Sequence, residues 1–198
     1  FDIEVDTKDI EKFIETVKNI APTFGGINLE DIKAPESFEI ERRLVEELNI
    51  PVMHDDQHGT AIISSAALLN ALELANKKIE DVTMVVSGAG SAALACANLY
   101  VLLGIDPKKV IMFDRKGALS PDRENLSEVQ RRYANATSDV TLEQAMVGAD
   151  IFLGLSSGDV LSAEMLLTMA EDPIVFAMAN PTPEIDYNLA IATRPDII

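Results

Sequence analysis

Two pairs of adjacent acidic residues could hold a metal ion. Glu30 and Asp31 form one pair, Asp55 and Asp56 form the other, and each follows a short segment predicted to be a strand. The ends of parallel strands meet at one rim of an α/β sheet, where ligands bind. Carboxylate oxygens are the ligands that Mg²⁺ and Mn²⁺ prefer. Acidic pairs are also common on solvated surfaces, so the spacing alone leaves both interpretations open.

A glycine-rich turn, SGAGSAA at residues 87–93, has the spacing of a dinucleotide-binding loop. It follows an apolar, β-branched run and opens a predicted helix. Gly88 would allow the tight turn, Gly90 would let a pyrophosphate approach the backbone, and Ala93 would let the helix pack closely on the strand. The free N–H groups at the helix start would hold the phosphates. The pattern predicts binding of NAD or NADP through Gly88, Ala89, Gly90 and Ser91.

The next predicted strand ends at an acidic residue. Asp114 lies 24 residues after Gly90, where an acid can bind the hydroxyl groups of the adenosine ribose. This position favours NAD, whereas the adjacent Arg115 and Lys116 could accommodate the 2′-phosphate of NADP. The sequence leaves the choice between the two cofactors open.

Strands and helices alternate along the part of the chain that must position these residues. Strands are predicted at 24–29, 50–53, 82–87, 110–113, 151–155 and 174–178, and helices at 9–20, 37–48, 60–75, 91–103, 126–134, 142–147 and 163–169. Continuous apolar runs of strand length are typical of parallel strands that are buried on both faces. The pattern predicts an α/β fold with a Rossmann-like, doubly wound and mostly parallel sheet.

The composition restricts the partners of the protein. Its 33 acidic and 16 basic side chains give a formal net charge of −17, which would repel nucleic acid and anionic membranes. The single cysteine, Cys96, excludes an internal disulfide and fits a reducing compartment. No leader or membrane-spanning segment is recognised. We expect a cytoplasmic protein that binds small molecules.

Four segments resemble those of bacterial-type malic enzymes. Residues 24–36, FGGINLEDIKAPE, and 50–61, IPVMHDDQHGTA, are similar to two long signatures of that family. Residues 88–93, GAGSAA, and 176–181, FAMANP, are similar to its nucleotide turn and its active-site asparagine segment. The resemblance implies that residues 1–56 are the C-terminal part of the family's metal- and substrate-binding domain. Residues 57–198 would be its NAD(P)-binding Rossmann-like domain, truncated at the C-terminus.

The resemblance also implies roles for individual residues. Glu30, Asp31 and Asp56 would ligate Mg²⁺ or Mn²⁺, and Asp55 would pair with the family's general-base lysine. Residues Gly88, Ala89, Gly90 and Ser91 would form the pyrophosphate loop, and Asp114 would contact the ribose. Asn180 would lie at the substrate and the nicotinamide, and Ser156 would border the cofactor.

Other polar residues are expected to be structural. His54 and His58 flank the acidic pair, but the family's metal ligands are carboxylates, so neither is expected to bind the ion. The acidic residues from Glu36 to Glu47, which include Glu39, Glu41 and Glu46, are expected to form a solvated helix face. The general-base lysine and the tyrosine acid of the family would precede Phe1, and we therefore expect residues 1–198 alone to turn over malate negligibly.

The implied reaction is the oxidative decarboxylation of malate to pyruvate and CO₂ with reduction of NAD(P), in a homodimer or a larger homo-oligomer. Three alternatives stay open. A malolactic or oxaloacetate-decarboxylating relative would use the same sites, a nucleotide-sensing module would bind without catalysis, and an amino-acid dehydrogenase of the glutamate or leucine type would need no divalent metal.

Overall fold

A computed structural model of the protein describes residues 1–33 and 35–198. Its contacts divide the chain into two compact units, residues 1–60 and 61–198. The boundary predicted from the sequence, between residues 56 and 57, lies four residues before this division. Ala34, which belongs to the first signature segment, lies outside the described residues.

The N-terminal unit contains a two-stranded parallel sheet and two helices that pack together. Helix α1 comprises Ile10–Ile20, strand β1 Ile27–Leu29, helix α2 Glu36–Glu47 and strand β2 Val52–His54, and helix α3 begins at Asp55. Leu29 pairs with His54 in the parallel register. Both strands therefore end at the same edge, and each is followed there by an acidic pair. The buried core of the unit consists of Ile14, Val17, Leu29, Ile40 and Leu44.

The C-terminal unit is built on a five-stranded sheet in the described part of the chain. Its strands are β3 (Met84–Ser87), β4 (Val110–Asp114), β5 (Gly117–Ala118), β6 (Ile151–Gly154) and β7 (Ile174–Ala177), in the order β5-β4-β3-β6-β7. Only the short edge strand β5, which the sequence did not predict, is antiparallel among these. The Rossmann-like, mostly parallel sheet is confirmed.

Helices connect these strands and complete the unit. Helix α3 (Asp55–Leu74) precedes β3, and α4 (Ser91–Leu103) joins β3 to β4. The later helices are α5 (Glu128–Arg131), α6 (Leu142–Met146), α7 (Ala163–Thr168) and α8 (Tyr187–Thr193). Helix α8 was not predicted from the sequence. None of the helices in the described ranges is both long enough and apolar enough to cross a bilayer.

The central strands are buried on both faces, as their apolar sequences predict. Met84 and Val86 of β3 belong to one hydrophobic cluster and Val85 belongs to another. Strand β6 repeats the division, with Ile151 and Leu153 on the first side and Phe152 on the second. Successive side chains of a strand point to opposite faces, so each face of the sheet has its own core.

The strand order changes direction at β3. From β3 the chain moves to β4 on one side, and it later continues at β6 on the other side of β3. Ser87 at the end of β3 pairs with Gly154 at the end of β6. Ligands of open α/β sheets bind at such a reversal, outside the carboxyl ends of the strands.

Candidate functional site

The glycine turn begins with a residue that has to be glycine. Gly88 has a φ of +117°, a conformation that other residues rarely adopt. A Cβ atom at this position would overlap the carbonyl oxygen of Leu155, which follows β6. The N–H of Gly88 donates to Phe113 at 2.9 Å, and that of Leu155 donates to Ser87 at 2.8 Å. The turn is therefore fixed by its backbone between the ends of three strands.

The rest of the turn suits a phosphate group. Helix α4 begins at Ser91 with Gly90 as its N-cap, and no atom lies within 4 Å of the point where Gly90 would carry a Cβ. The buried hydroxyl of Ser91 has no hydrogen-bond partner among the described residues. Ala93 is buried against the sheet core. Unpaired amides at a helix N-terminus and a free hydroxyl fit a pyrophosphate.

Asp114 ends β4 and is held by an arginine that the sequence did not reveal. Arg123 donates to both carboxylate oxygens, at 2.9 and 2.5 Å, and the N–H of Lys116 donates at 2.8 Å. Burial alone would raise the pKa of Asp114, but these hydrogen bonds outweigh it and hold the pKa below its usual value. Arg123 belongs to no recognisable motif, so only the fold reveals the pair. Arg115 and Lys116 are exposed beside it.

Ser156 and Asn180 follow neighbouring strands of the same sheet. Ser156 comes two residues after the end of β6, and its hydroxyl lies 2.8 Å from that of Ser87. Asn180 comes three residues after β7, is exposed, and is joined to Pro181 by a cis peptide bond. The structure thus places both residues at the edge that carries the glycine turn.

Glu184, a buried acidic residue, contacts the backbone at Ser156 and next to Asn180. It accepts hydrogen bonds from the backbone N–H of Ser156 at 2.9 Å and from that of Ala179 at 3.0 Å. Nothing in the sequence singled it out, because it is one of 33 acidic residues and belongs to no charge pair.

The two acidic pairs lie at one edge of the N-terminal sheet, but the structure does not gather them. Glu30 and Asp31 are exposed, and Glu30 accepts a hydrogen bond of 2.6 Å from the amide of Asn28. Asp55 and Asp56 form the first turn of α3, and the side chain of Asp56 is 58% exposed. Within the described residues no three His, Cys, Asp or Glu side chains form a group that could hold a metal ion. The all-oxygen donor set nevertheless fits a hard divalent cation.

Gly59 allows the Asp55 carboxyl group to fold back over the first turn of α3. A Cβ atom on Gly59 would overlap that carboxyl group. The glycine of the sequence DDQHG therefore has a packing reason, because it leaves room for the side chain of one of the predicted site residues.

Glu41 contacts the segment that carries the second acidic pair. Its Oε1 accepts from the backbone N–H of His54 at 2.8 Å and lies 2.8 Å from Nε2 of His58. Only 13% of its side chain is exposed, so the expected solvated position is wrong for this residue. The reason is that Glu41 serves as the acceptor for the end of β2. Glu39 and Glu46 do lie in solvent, where both pair with Arg42.

His54 is buried and His58 is half exposed. The Nε2 atom of His54 is 4.0 Å from the Asp56 carboxylate, which is too long for a hydrogen bond. Neither ring nitrogen of His54 has a partner among the described residues.

Comparisons with known proteins identify two family models that match this chain. The family model described as "Malic enzyme, NAD binding domain" matches residues 57–193. A second one, described as "Malic enzyme, N-terminal domain", matches residues 3–45.

Individual relatives are also named malic enzymes. The chain is 56% identical to an NADP-dependent malic enzyme of Escherichia coli and 52% identical to an NAD-dependent malic enzyme of Rhizobium meliloti, covering 100% and 99% of this chain. It covers 26% of each of those two proteins. The crystal structure of an NAD-dependent malic enzyme from Thermotoga maritima superposes with a TM-score of 0.87 at 46% identity, over 98% of this chain and 52% of that one. The chain thus spans between a quarter and a half of the length of these relatives, and it belongs to the malic enzyme family.

Proposed function

We propose that the full-length protein carrying this chain converts malate to pyruvate and CO₂ while it reduces NAD(P), with the help of Mg²⁺ or Mn²⁺. The observation that carries the proposal is the glycine turn at the sheet reversal, with Asp114 at the end of the adjacent strand. Membership of the malic enzyme family supports malate as the substrate.

The chain's own residues would bind the cofactor along the edge of the C-terminal sheet. The backbone from Gly88 to Ser91 would hold the pyrophosphate, and Asp114 would lie at the adenosine ribose. Ser156 and Asn180 would border the nicotinamide half, since both lie at the ends of strands beyond the turn. The nicotinamide supplies a hydride acceptor when it is bound.

The acidic pairs would contribute to substrate binding and to proton transfer. Glu30, Asp31 and Asp56 would ligate the cation, which neutralises the anionic substrate and stabilises the charge that develops on its oxygens. Asp55 would orient a general-base lysine from another part of the enzyme. Gly59 leaves room for this carboxyl group.

The charges around Asp114 favour NADP over NAD. Arg123 pairs with the carboxylate, and the exposed Arg115 and Lys116 are two adjacent cations directly after it. Such a loop suits a 2′-phosphate. The relatives' names include both cofactors, so the chemistry of this loop is the basis of the choice.

One assay with the full-length protein tests the proposal. Malate, Mn²⁺ and NADP should give pyruvate, CO₂ and NADPH in equal amounts, EDTA should abolish the reaction, and NAD should be used less efficiently. Lactate without reduced nicotinamide would instead identify a malolactic enzyme. Binding of NADP without any turnover would favour a nucleotide sensor. Turnover that survives EDTA would contradict the metal sites.

A further inference from the structure

Glu184 is fully buried, and it lies in the loop of the chain that joins β7 to α8. It is the one acidic residue among the buried polar side chains of the described segments, with a relative exposure of 0%. Burying a carboxylate costs free energy unless its oxygens receive hydrogen bonds. An apolar side chain would fill the same space without that cost, so the hydrogen bonds made by Glu184 indicate its role.

Each oxygen of the Glu184 carboxylate accepts from a different loop. Oε1 accepts from the N–H of Ser156 at 2.9 Å and lies 3.4 Å from the Ser156 hydroxyl. Oε2 accepts from the N–H of Ala179 at 3.0 Å. One carboxylate therefore joins the loop after β6 to the loop after β7, just where each leaves the sheet.

A glycine makes room for this carboxylate. Gly154 is the last residue of β6, and a Cβ atom there would overlap the carboxyl group of Glu184. The connection continues to β3, because the hydroxyl of Ser156 lies 2.8 Å from that of Ser87. Ser87 directly precedes Gly88 of the nucleotide turn, so Glu184 is linked to the ends of β6 and β7 and, through Ser156, to the end of β3.

We infer that Glu184 is a positioning residue for the nicotinamide half of the site, because its carboxylate bridges the amides of Ser156 and Ala179. The inference rests on the proposed function, in which Ser156 and Asn180 border that half of the cofactor. Loss of the bridge would release two amides from their acceptor and let the two loops move apart. The adenosine half, held by Gly88 to Ser91 and by Asp114, would not change.

The test is Glu184→Gln in the full-length enzyme. Glutamine has one acceptor oxygen and one NH₂ group, so one of the two amides loses its partner while the size of the side chain is kept. We expect kcat to fall and the KM for NADP to rise, with kcat/KM lower by on the order of 10- to 100-fold. The affinity for 2′,5′-ADP, which lacks the nicotinamide half, should stay within about twofold, a difference of about 0.4 kcal/mol.

Glu171→Gln is the matched control. Glu171 is exposed and lies just before β7, at the opposite end of the strand from Ala179. This variant should keep the wild-type kcat, KM and 2′,5′-ADP affinity.

The outcomes separate this inference from the proposed function. If the wild-type enzyme does not oxidise malate, the proposed function fails, and a comparison of NADP and 2′,5′-ADP affinities in Glu184→Gln still tests the bridge. If the wild type is active and Glu184→Gln equals it, the inference alone is overturned. Equal losses of affinity for NADP and 2′,5′-ADP would show a general structural defect and would also overturn it.

A measurement on the wild-type protein keeps the inference testable if Glu184→Gln does not fold. The amides of Ser156 and Ala179 should exchange slowly with deuterium in the absence of nucleotide, although Ser156 is an exposed residue. Exchange at the rate of an unbonded surface amide would show that the bridge does not form in solution.

Discussion

The two edges that carry the predicted site residues are built in different ways. At the edge of the C-terminal sheet, the groups that would hold the cofactor are mostly backbone N–H groups, and the strands beside them fix their positions. At the edge of the N-terminal sheet, the groups that would hold the cation are side-chain carboxylates on exposed residues. Backbone groups are positioned as soon as the strands pair, whereas exposed side chains can adopt several rotamers.

This difference explains why the backbone of the glycine turn is held by neighbouring strands, whereas the acidic side chains are not gathered together. The N–H of Gly88 donates to Phe113, and Gly88 lies close against the carbonyl group of Leu155. Glu30 and Asp56 end up at one strand edge without a shared partner. Like-charged carboxylates also repel each other. We therefore expect the two edges to respond differently to substitution.

The largest effect should come from Asp56→Asn in the full-length enzyme. The substitution removes a charged oxygen ligand and leaves the size of the side chain unchanged. We expect metal-dependent malate oxidation to fall more than about 100-fold, beyond the usual effect of residues that only support a ligand, while NADPH affinity is retained. Steady-state assays over a range of Mn²⁺ concentrations and a fluorescence titration with NADPH measure the two quantities.

A control and a contrary result complete this test. Glu46→Gln removes a charge from an exposed position of α2 and should leave both quantities unchanged. If Asp56→Asn kept full activity at ordinary Mn²⁺ concentrations, the residue would not be a ligand.

The second largest effect should come from Gly88→Ala, compared with Gly90→Ala. The methyl group added by Gly88→Ala would overlap the Leu155 carbonyl and require an unfavourable φ, which costs about 1–3 kcal/mol. Thermal unfolding should therefore report lower stability together with weaker NADPH binding. A Cβ on Gly90 meets no protein atom, so Gly90→Ala should keep its stability and lose only NADPH affinity.

Equal stability of Gly88→Ala and the wild type would show that the turn is not constrained by the fold. Equal NADPH affinity of Gly90→Ala and the wild type would show that no phosphate lies close to this backbone.

The sequence predicted the backbone-built edge well because its signals are local. Apolar runs of strand length, two glycines and an acid at the end of the next strand predicted β3, α4 and β4 together. The resemblance of residues 88–93 and 176–181 implied that the glycine turn and Asn180 serve the same cofactor, and the strands that precede them, β3 and β7, belong to one parallel sheet. Strand β5 has only two residues, too few for a periodic pattern to reveal.

The sequence could not predict which distant groups the charged side chains contact. Arg123 with Asp114, Glu41 with His58, and Glu184 with Ser156 are each brought together by the fold. An acidic residue in a chain with 33 acids gives no indication of whether it will be buried. Gly59 and Gly154 both make room for a carboxylate, but only the fold shows that Gly154 lies beside Glu184.

A smaller effect is expected for Glu41→Ala, which tests what supports the carboxylate edge. Alanine keeps the helix propensity but removes the acceptor shared by His54 and His58. We expect a loss of about 1–2 kcal/mol of unfolding free energy, measured by urea denaturation. Glu41→Gln keeps the oxygen and should lose less, and Glu46→Ala on the same helix is the control. A Glu41→Ala variant as stable as Glu46→Ala would return Glu41 to the solvated face that the sequence predicted.

The smallest effect should be that of Asp114→Asn on stability, and it should depend on pH. The pKa of Asp114 is lowered in the folded protein, so the unfolded chain takes up a proton first as the pH falls. The ion pair with Arg123 therefore contributes fully above the unfolded pKa of about 3.9, and its contribution is lost as the pH falls through the lower, folded value.

We expect Asp114→Asn to be about 1 kcal/mol less stable than the wild type at pH 7, with the difference shrinking below about pH 4. Urea denaturation at several pH values measures this, and a difference that stays constant down to about pH 3 would mean that Asp114 does not carry the charge in the pair.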